Sequence, residues 1–414
     1  MRLSFAVLAL PAYAFASAFT RPLGGGEFGG GADRIVMADF LALALIGYSV
    51  VLGISKSRFY FPALYQVFLL LLGAFILSAT FALYPGTALF EVLVIGFGFA
   101  TSIALLNILL SLSQEDFSRS LYTYVLTMGA LAAFLIVDYF FFNMFNAKPG
   151  GLAGSFRNTG QAGAFLGVHI AIVFCLLMSR LVPTHTLTSL ALIVLLLAIV
   201  LTVKRSAMIG LFGGLFFYLL FMLVSRYRGD KVRGVIMFGL LLLMIPLSVT
   251  LFNFALETVE GLAWRFQAKV NTNTLGDFAS GFLNENIQAT IHALELRPLL
   301  GVGLGNVAGI ITEKYEIHST YLALLATSGI VGAGIYALFM GGFLASLLRA
   351  RRFASNHYAQ FVVFCLPMLL GLMISWSYTL HLRKREFWTL MAVTVAITII
   401  GQRLHKYTTA QRQF

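Results

Sequence analysis

The chain has 414 residues, 59% of them hydrophobic, and carries only 28 Lys and Arg against 16 Asp and Glu. About a quarter of the residues in an ordinary soluble domain are charged, so this composition excludes one, and the abundance of Phe and Tyr excludes a disordered chain. Two cysteines inside apolar runs, Cys175 and Cys365, exclude a disulfide scaffold, and the net charge of +12 sits in short turns, where it serves membrane orientation rather than nucleic-acid binding.

A helix needs about 20 mostly apolar residues to cross the hydrocarbon of a bilayer. Twelve such runs lie near 3–20, 35–54, 59–84, 87–112, 120–143, 161–182, 185–203, 206–225, 234–252, 319–346, 358–380 and 386–402. They predict an all-α, polytopic membrane bundle of about 12 spans. The first run follows Arg2 and ends in Ala-rich sequence, so a signal peptide is its alternative reading. An even number of spans puts both termini on one side. Segments on that side hold 15 Lys and Arg, the short loops opposite hold 9, and both termini are therefore expected in the cytoplasm. The chain divides into 1–252 with the first nine spans, a large outer loop at 253–318, and 319–414 with three spans and a short tail.

Residues 21–34 are glycine-rich and read as a plain connecting loop. The 253–318 segment carries seven acids against four bases and no run long enough to span. Within it, Asn284 to Arg297 reads as an amphipathic helix with Ile287, Ile291 and Leu294 on one face and a stop at Pro298. A loop of this length is usually functional, and a small helical lid is expected.

Ionisable residues inside the apolar runs are Asp39, Glu91, Asp138 and His169. Asp39 and Glu91 fall near span ends, where snorkelling to the interface explains them, and Asp138 is placed to pair with a neighbouring helix. Gly301-Val-Gly-Leu-Gly305 is no dinucleotide loop: Asn306 takes the third glycine position, and a helix tail with Pro298 precedes it instead of a strand. With no Walker lysine, DxD or His/Cys cluster, no metal site and no cofactor are expected. Any reaction here needs a pre-activated donor. His318 stands where the large loop meets the tenth span, and histidine is the residue type suited to taking a proton from a hydroxyl. Arg205, Arg265 and Arg297 lie on the same expected side, and guanidinium forks suit phosphate oxygens. The cations of Arg383-Lys-Arg385 could hold phosphates of an acceptor or of lipid headgroups.

Residues 297–332 contain Arg-Pro-Leu-Leu-Gly-Val-Gly-Leu-Gly-Asn and then Ile-His-Ser-Thr-Tyr-Leu-Ala-Leu-Leu-Ala-Thr-Ser-Gly-Ile-Val-Gly. This resembles the signature of the O-antigen ligase and polymerase family, with Ser319 where that family has Asn after its histidine. Lys204-Arg-Ser-Ala-Met-Ile-Gly-Leu and Gly154-Ser-Phe-Arg-Asn-Thr-Gly-Gln are similar to two earlier landmarks of the family. The resemblance spans about 150–345.

The resemblance implies transfer of a glycan from undecaprenyl diphosphate at the periplasmic face of the bacterial inner membrane, without metal or nucleotide. It implies His318 as the base that activates the acceptor hydroxyl and Arg205 as a diphosphate ligand. Arg265 or Arg297 would be the second clamp, with Lys204, Arg157 and Ser319 as lesser contacts. The partners implied are the lipid-linked glycan, an acceptor that is lipid A core or a growing glycan, and membrane lipid. Ligation to lipid A core, as in lipopolysaccharide biosynthesis, and polymerisation of O-antigen or exopolysaccharide both remain open. A lipid-linked oligosaccharide flippase is the alternative of another class; it would spread charge along many helices, whereas an enzyme concentrates it at one face.

Overall fold

The computed structural model describes residues 4–20, 36–57, 59–142, 144, 151–182, 185–224, 275–310, 316–350 and 357–411, with isolated positions at 239, 250, 253, 254 and 257. Among them every regular element is helical. The helices are α1 (Phe5–Ser17), α2 (Met37–Lys56), α3 (Ala63–Thr80), α4 (Pro85–Ser111), α5 (Gln114–Val137), α6 (Thr159–Ser179), α7 (His185–Leu201), α8 (Arg205–Val224), α9 (Leu275–Leu296), α10 (Val307–Ile310), α11 (Thr320–Ala350), α12 (His357–Trp376) and α13 (Arg385–Gln411). A π-turn at Asp138–Phe142 extends α5.

Nine of the described helices are long and apolar enough to cross a membrane. The chain is thus a polytopic helical membrane protein. Eleven of the expected runs correspond to helices, although α1, with 13 residues, and α7, with 17, are shorter than a full span. The expected run at 234–252 falls almost wholly outside the described residues. Large side chains such as Leu93, Ile54 and Leu338 are exposed, as befits faces solvated by lipid.

Small residues let two helices approach closely where lipid supplies no hydrophobic drive. Gly210 and Gly214 of α8 meet Gly371 of α12, and a Cβ built on Gly371 would overlap backbone atoms of α8. α8 and α12 accordingly pack along their lengths, as do α5 against α1 and α7, and α13 against α4.

Helix α9 starts earlier than the sequence pattern suggests and ends before Pro298. Its face is also rotated from the expected one. Asn286, Ala289, Thr290 and Ala293 are buried, at the i, i+3, i+4, i+7 spacing, whereas Ile291 is exposed. The apolar stripe reads inward only if water is the solvent; here the small and polar face packs on α11, and its hydrogen bonds explain the choice.

α11 is broken. Gly329 has φ +63, outside helical geometry, and the two halves of the helix meet there. The loop after α9 fills the break: the amides of Val302 and Gly303 donate to the carbonyls of Ala326 and Thr327 at 2.9 and 3.0 Å. In return the amides of Ile330 and Val331 donate to the carbonyls of Pro298 and Leu299 at 3.0 and 3.2 Å. The glycine-rich run is therefore a plug for a discontinuous helix, in which non-helical backbone is tolerated because protein pairs it. Gly301, with φ +67, lies so close to the break that a Cβ would overlap Thr327 and Ser328.

Candidate active site

One cavity of about 1090 Å³ collects the same end of alternate helices: the C-terminus of α1, the N-termini of α2, α4 and α6, the residue before α8, the segment before α11 and the turn between α12 and α13. Its wall has two characters. Phe40 and Leu43 of α2 with Phe90, Leu93, Val94 and Phe97 of α4 are its apolar side chains, and Phe40, Leu43 and Leu93 are exposed. Arg157, Lys204, Arg383, Lys384 and Arg385 make a basic side, with Asp39, Glu91, Glu316 and Glu386 among them.

His318 belongs to the wall and its side chain is exposed. Its place is set from the backbone. Asn286 of α9 accepts the His318 amide through Oδ1 at 3.0 Å, and His318 Nδ1 donates to the Glu316 carbonyl at 2.6 Å. A carbonyl only accepts, so Nδ1 carries the proton and Nε2 is left as the acceptor nitrogen. Ser319 is buried, and its Oγ accepts the Leu322 amide, capping α11 directly after His318. Ser and Asn are both favoured helix N-caps, so the departure from the family's Asn preserves this local geometry.

The sequence-predicted cations separate. Lys204 and Arg157 line the cavity. Arg205, half-buried, opens α8 beside Lys204 but is not itself in the cavity wall, and Arg297 is exposed beyond the end of α9. Arg265 lies outside the described residues.

Asp39 and Glu91 do not snorkel, and Arg383 and Arg385 are both engaged by carboxylates. Arg385 donates to Asp39 Oδ1 through Nη2 at 2.5 Å and Nε at 3.1 Å, while Asp39 Oδ2 accepts the Val36 amide at the start of α2. Arg383 Nε lies 2.8 Å from Glu91 Oε2, and its Nη1 is 2.7 Å from Glu316 Oε2. Glu91 is buried, so its charge is held by a guanidinium rather than by interfacial water. Among the described residues Asp138 Oδ1 accepts the Met144 amide, at 2.8 Å, at the end of its own helix. His169 is buried, with Nδ1 2.5 Å from Tyr124 Oη, remote from this wall.

Lys384 is the middle cation of the turn, and burial pushes its ammonium below the usual lysine range, opposed by Glu386 and reinforced by nearby Lys204. Two cations that weaken each other's charge favour an anion between them. The N-terminus of α6 reaches the same region: Asn158 caps it by accepting the Gln161 amide, and Thr159, Gly160 and Gln161 line the cavity. The second histidine here, His381, is a structural group. It is buried, stacks on Trp376 at 3.9 Å, and bonds Thr320 Oγ1 at 2.8 Å and Tyr336 Oη at 3.1 Å. Burial, then Lys384, holds its imidazole well below the ordinary histidine range. Among the described residues no group of three or more His, Cys, Asp or Glu could hold a metal ion.

Sequence reasoning missed Asn286 and the Arg383 and Arg385 pairings, although it singled out the 383–385 cations for phosphate. Acids inside apolar runs at 39 and 91 are a signal that cations meet them there. Residues 190–337 match the model of the O-antigen ligase family. Over that stretch the chain is similar to the O-antigen ligase family. The matched region holds Lys204, Arg205, the plugged break and His318, while Arg157 and the 383–386 turn come from outside it. No curated protein sequence matches the chain. The similarity is to a family described by O-antigen ligation, and the chain that carries it is a polytopic helical membrane protein.

Proposed function

We propose that this protein transfers a glycan from undecaprenyl diphosphate to an acceptor sugar, with lipid A core as the acceptor. The mixed lining of the cavity carries the reading: apolar side chains from α2 and α4, cations from three segments, and a histidine in one wall. The polyprenyl tail would lie along Phe40, Leu43 and Leu93, placing the diphosphate against Lys204, Arg157 and Lys384 with Arg205 adjoining. His318 Nε2 takes the proton of the acceptor hydroxyl, the hydroxyl oxygen bonds to C1 of the sugar, and the bond from C1 to the phosphate oxygen breaks. The diphosphate leaves with the electron pair. The cations stabilise the charge that develops on it, so binding is strongest where the transition state needs it. Arg265 and Arg297 remain the candidate second clamp, and the absence of Arg297 from the wall favours Arg265. In this reading both termini are cytoplasmic, residues 253–318 form the periplasmic loop that carries α9, and the cavity opens to the periplasm of a bacterial inner membrane.

Purified protein given an undecaprenyl-diphosphate oligosaccharide and lipid A core should form the lipid A conjugate, and His318→Ala should abolish it. Chaining of the donor into longer glycans would replace ligation by polymerisation. Transport of the donor across vesicles, undiminished in His318→Ala and without any glycan product, would sink the enzyme reading.

A further inference from the structure

The ring of His318 is exposed, and the short segment that bears it holds its Nδ1. That segment is tied down at two points. One is the Asn286 side chain; the other is the Glu316 carboxylate, two residues before the histidine, gripped by Arg383 at 2.7 Å. Glu316 then holds the ring through its own carbonyl at 2.6 Å from Nδ1. Arg383 is itself fixed: its Nε faces the buried Glu91 of α4 at 2.8 Å, and the turn before it is pinned by Trp388 Nε1, which donates to the Leu382 carbonyl at 3.0 Å. One planar guanidinium thus joins a transmembrane helix to the histidine segment through two different nitrogens, a geometry that a lysine ammonium cannot reproduce.

We propose that Arg383 is a positioning residue for His318, acting through Glu316, with Glu91 as its anchor in the membrane. The inference rests on the glycan-transfer reading of the same cavity. It assigns Arg383 to the protein rather than to the substrate: the guanidinium spans two carboxylates and orients the base, and the diphosphate is left to the neighbouring lysines. Positioning is a large part of what an exposed base requires, because a displacement of about 1 Å can cost on the order of a hundredfold in rate.

The test is steady-state glycan transfer with Glu316→Ala, Arg383→Lys, the double variant and His318→Ala, each with its melting temperature in detergent. Glu316→Ala leaves the Arg383–Glu91 pair intact, so it separates positioning from folding. We expect its kcat to fall about ten- to hundredfold with the KM for the donor within about twofold, and its melting temperature to match wild type. Arg383→Lys should lose a similar factor, and the double variant should be no worse than the poorer single one, since both substitutions cut the same tie. A wild-type kcat in Glu316→Ala would overturn the proposal, as would fully multiplicative losses in the double variant or a change confined to KM. If instead His318→Ala retains full activity, the glycan-transfer reading itself fails, and that result is distinct from the other three.

Discussion

The amide of Gly303 donates to the carbonyl of Thr327 at 3.0 Å, and that same carbonyl accepts Ser78 Oγ of α3 at 2.7 Å. A carbonyl released by the break in α11 is therefore satisfied twice, by the loop and by a neighbouring span. Gly329→Ala should undo this joint, because the position requires φ +63 and a Cβ there would overlap the Leu299 carbonyl. Positive φ alone costs a non-glycine residue about 1–3 kcal/mol. A lower melting temperature with loss of transfer is the expected outcome; a variant as stable as wild type would show that the break is not held by this contact.

Asn286→Ala should reduce transfer while leaving the bundle folded. The substitution removes the acceptor of the His318 amide from the buried face of α9. Leaving a partly buried donor unpaired costs about 1–3 kcal/mol, and if that loss falls on base placement the rate drops about tenfold or more. Asn286→Asp, which keeps an acceptor oxygen, should recover part of it. Equal activity in all three proteins would refute the tie.

Lys384→Met and Lys204→Met should each raise the KM for the lipid-linked donor about tenfold, in line with loss of a charge-assisted hydrogen bond to phosphate. The effect should shrink at high salt, because screening weakens what the cations contribute. A donor KM unmoved in both variants would mean that the cavity's basic flank does not meet the diphosphate.

Acid should destabilise the protein through His381. Burial holds the folded imidazole well below its ordinary range, so the unfolded chain takes up the proton first. Stability from this group is complete above about pH 6.5 and is lost progressively as the pH falls below that value. Melting temperatures of wild type and His381→Gln should therefore converge between about pH 7.5 and about pH 5.5. A constant gap across that window would place the acid sensitivity elsewhere.

The membrane plan was legible because lipid imposes it: spans must be long, apolar and internally hydrogen-bonded, and the runs near 35–54 or 161–182 could mean little else. The histidine segment was legible from its local pattern. The pairings were not. Asp39 and Arg385 are 346 residues apart, and only tertiary packing decides that this acid meets that cation. α9 was misjudged for a related reason. An apolar stripe says which side avoids water, but beside a bilayer the protein and the lipid both satisfy it, and the small residues Ala289 and Ala293 chose the protein. The break at Gly329 left no mark in hydropathy, because both halves of α11 are equally apolar.

The plug at 297–303 and the break it fills differ in when they are made. Synthesis runs from the N-terminus, so the loop that holds Pro298, Leu299, Val302 and Gly303 exists before α11 has left the ribosome. Backbone groups stranded in hydrocarbon cost several kcal/mol each, and a helix released with an open gap would carry them into the bilayer. Here the partners are already waiting when the gap arrives. The two halves of α11 can therefore enter the membrane around a template, and a chain with the loop moved downstream of the helix would have to insert first and repair itself afterwards.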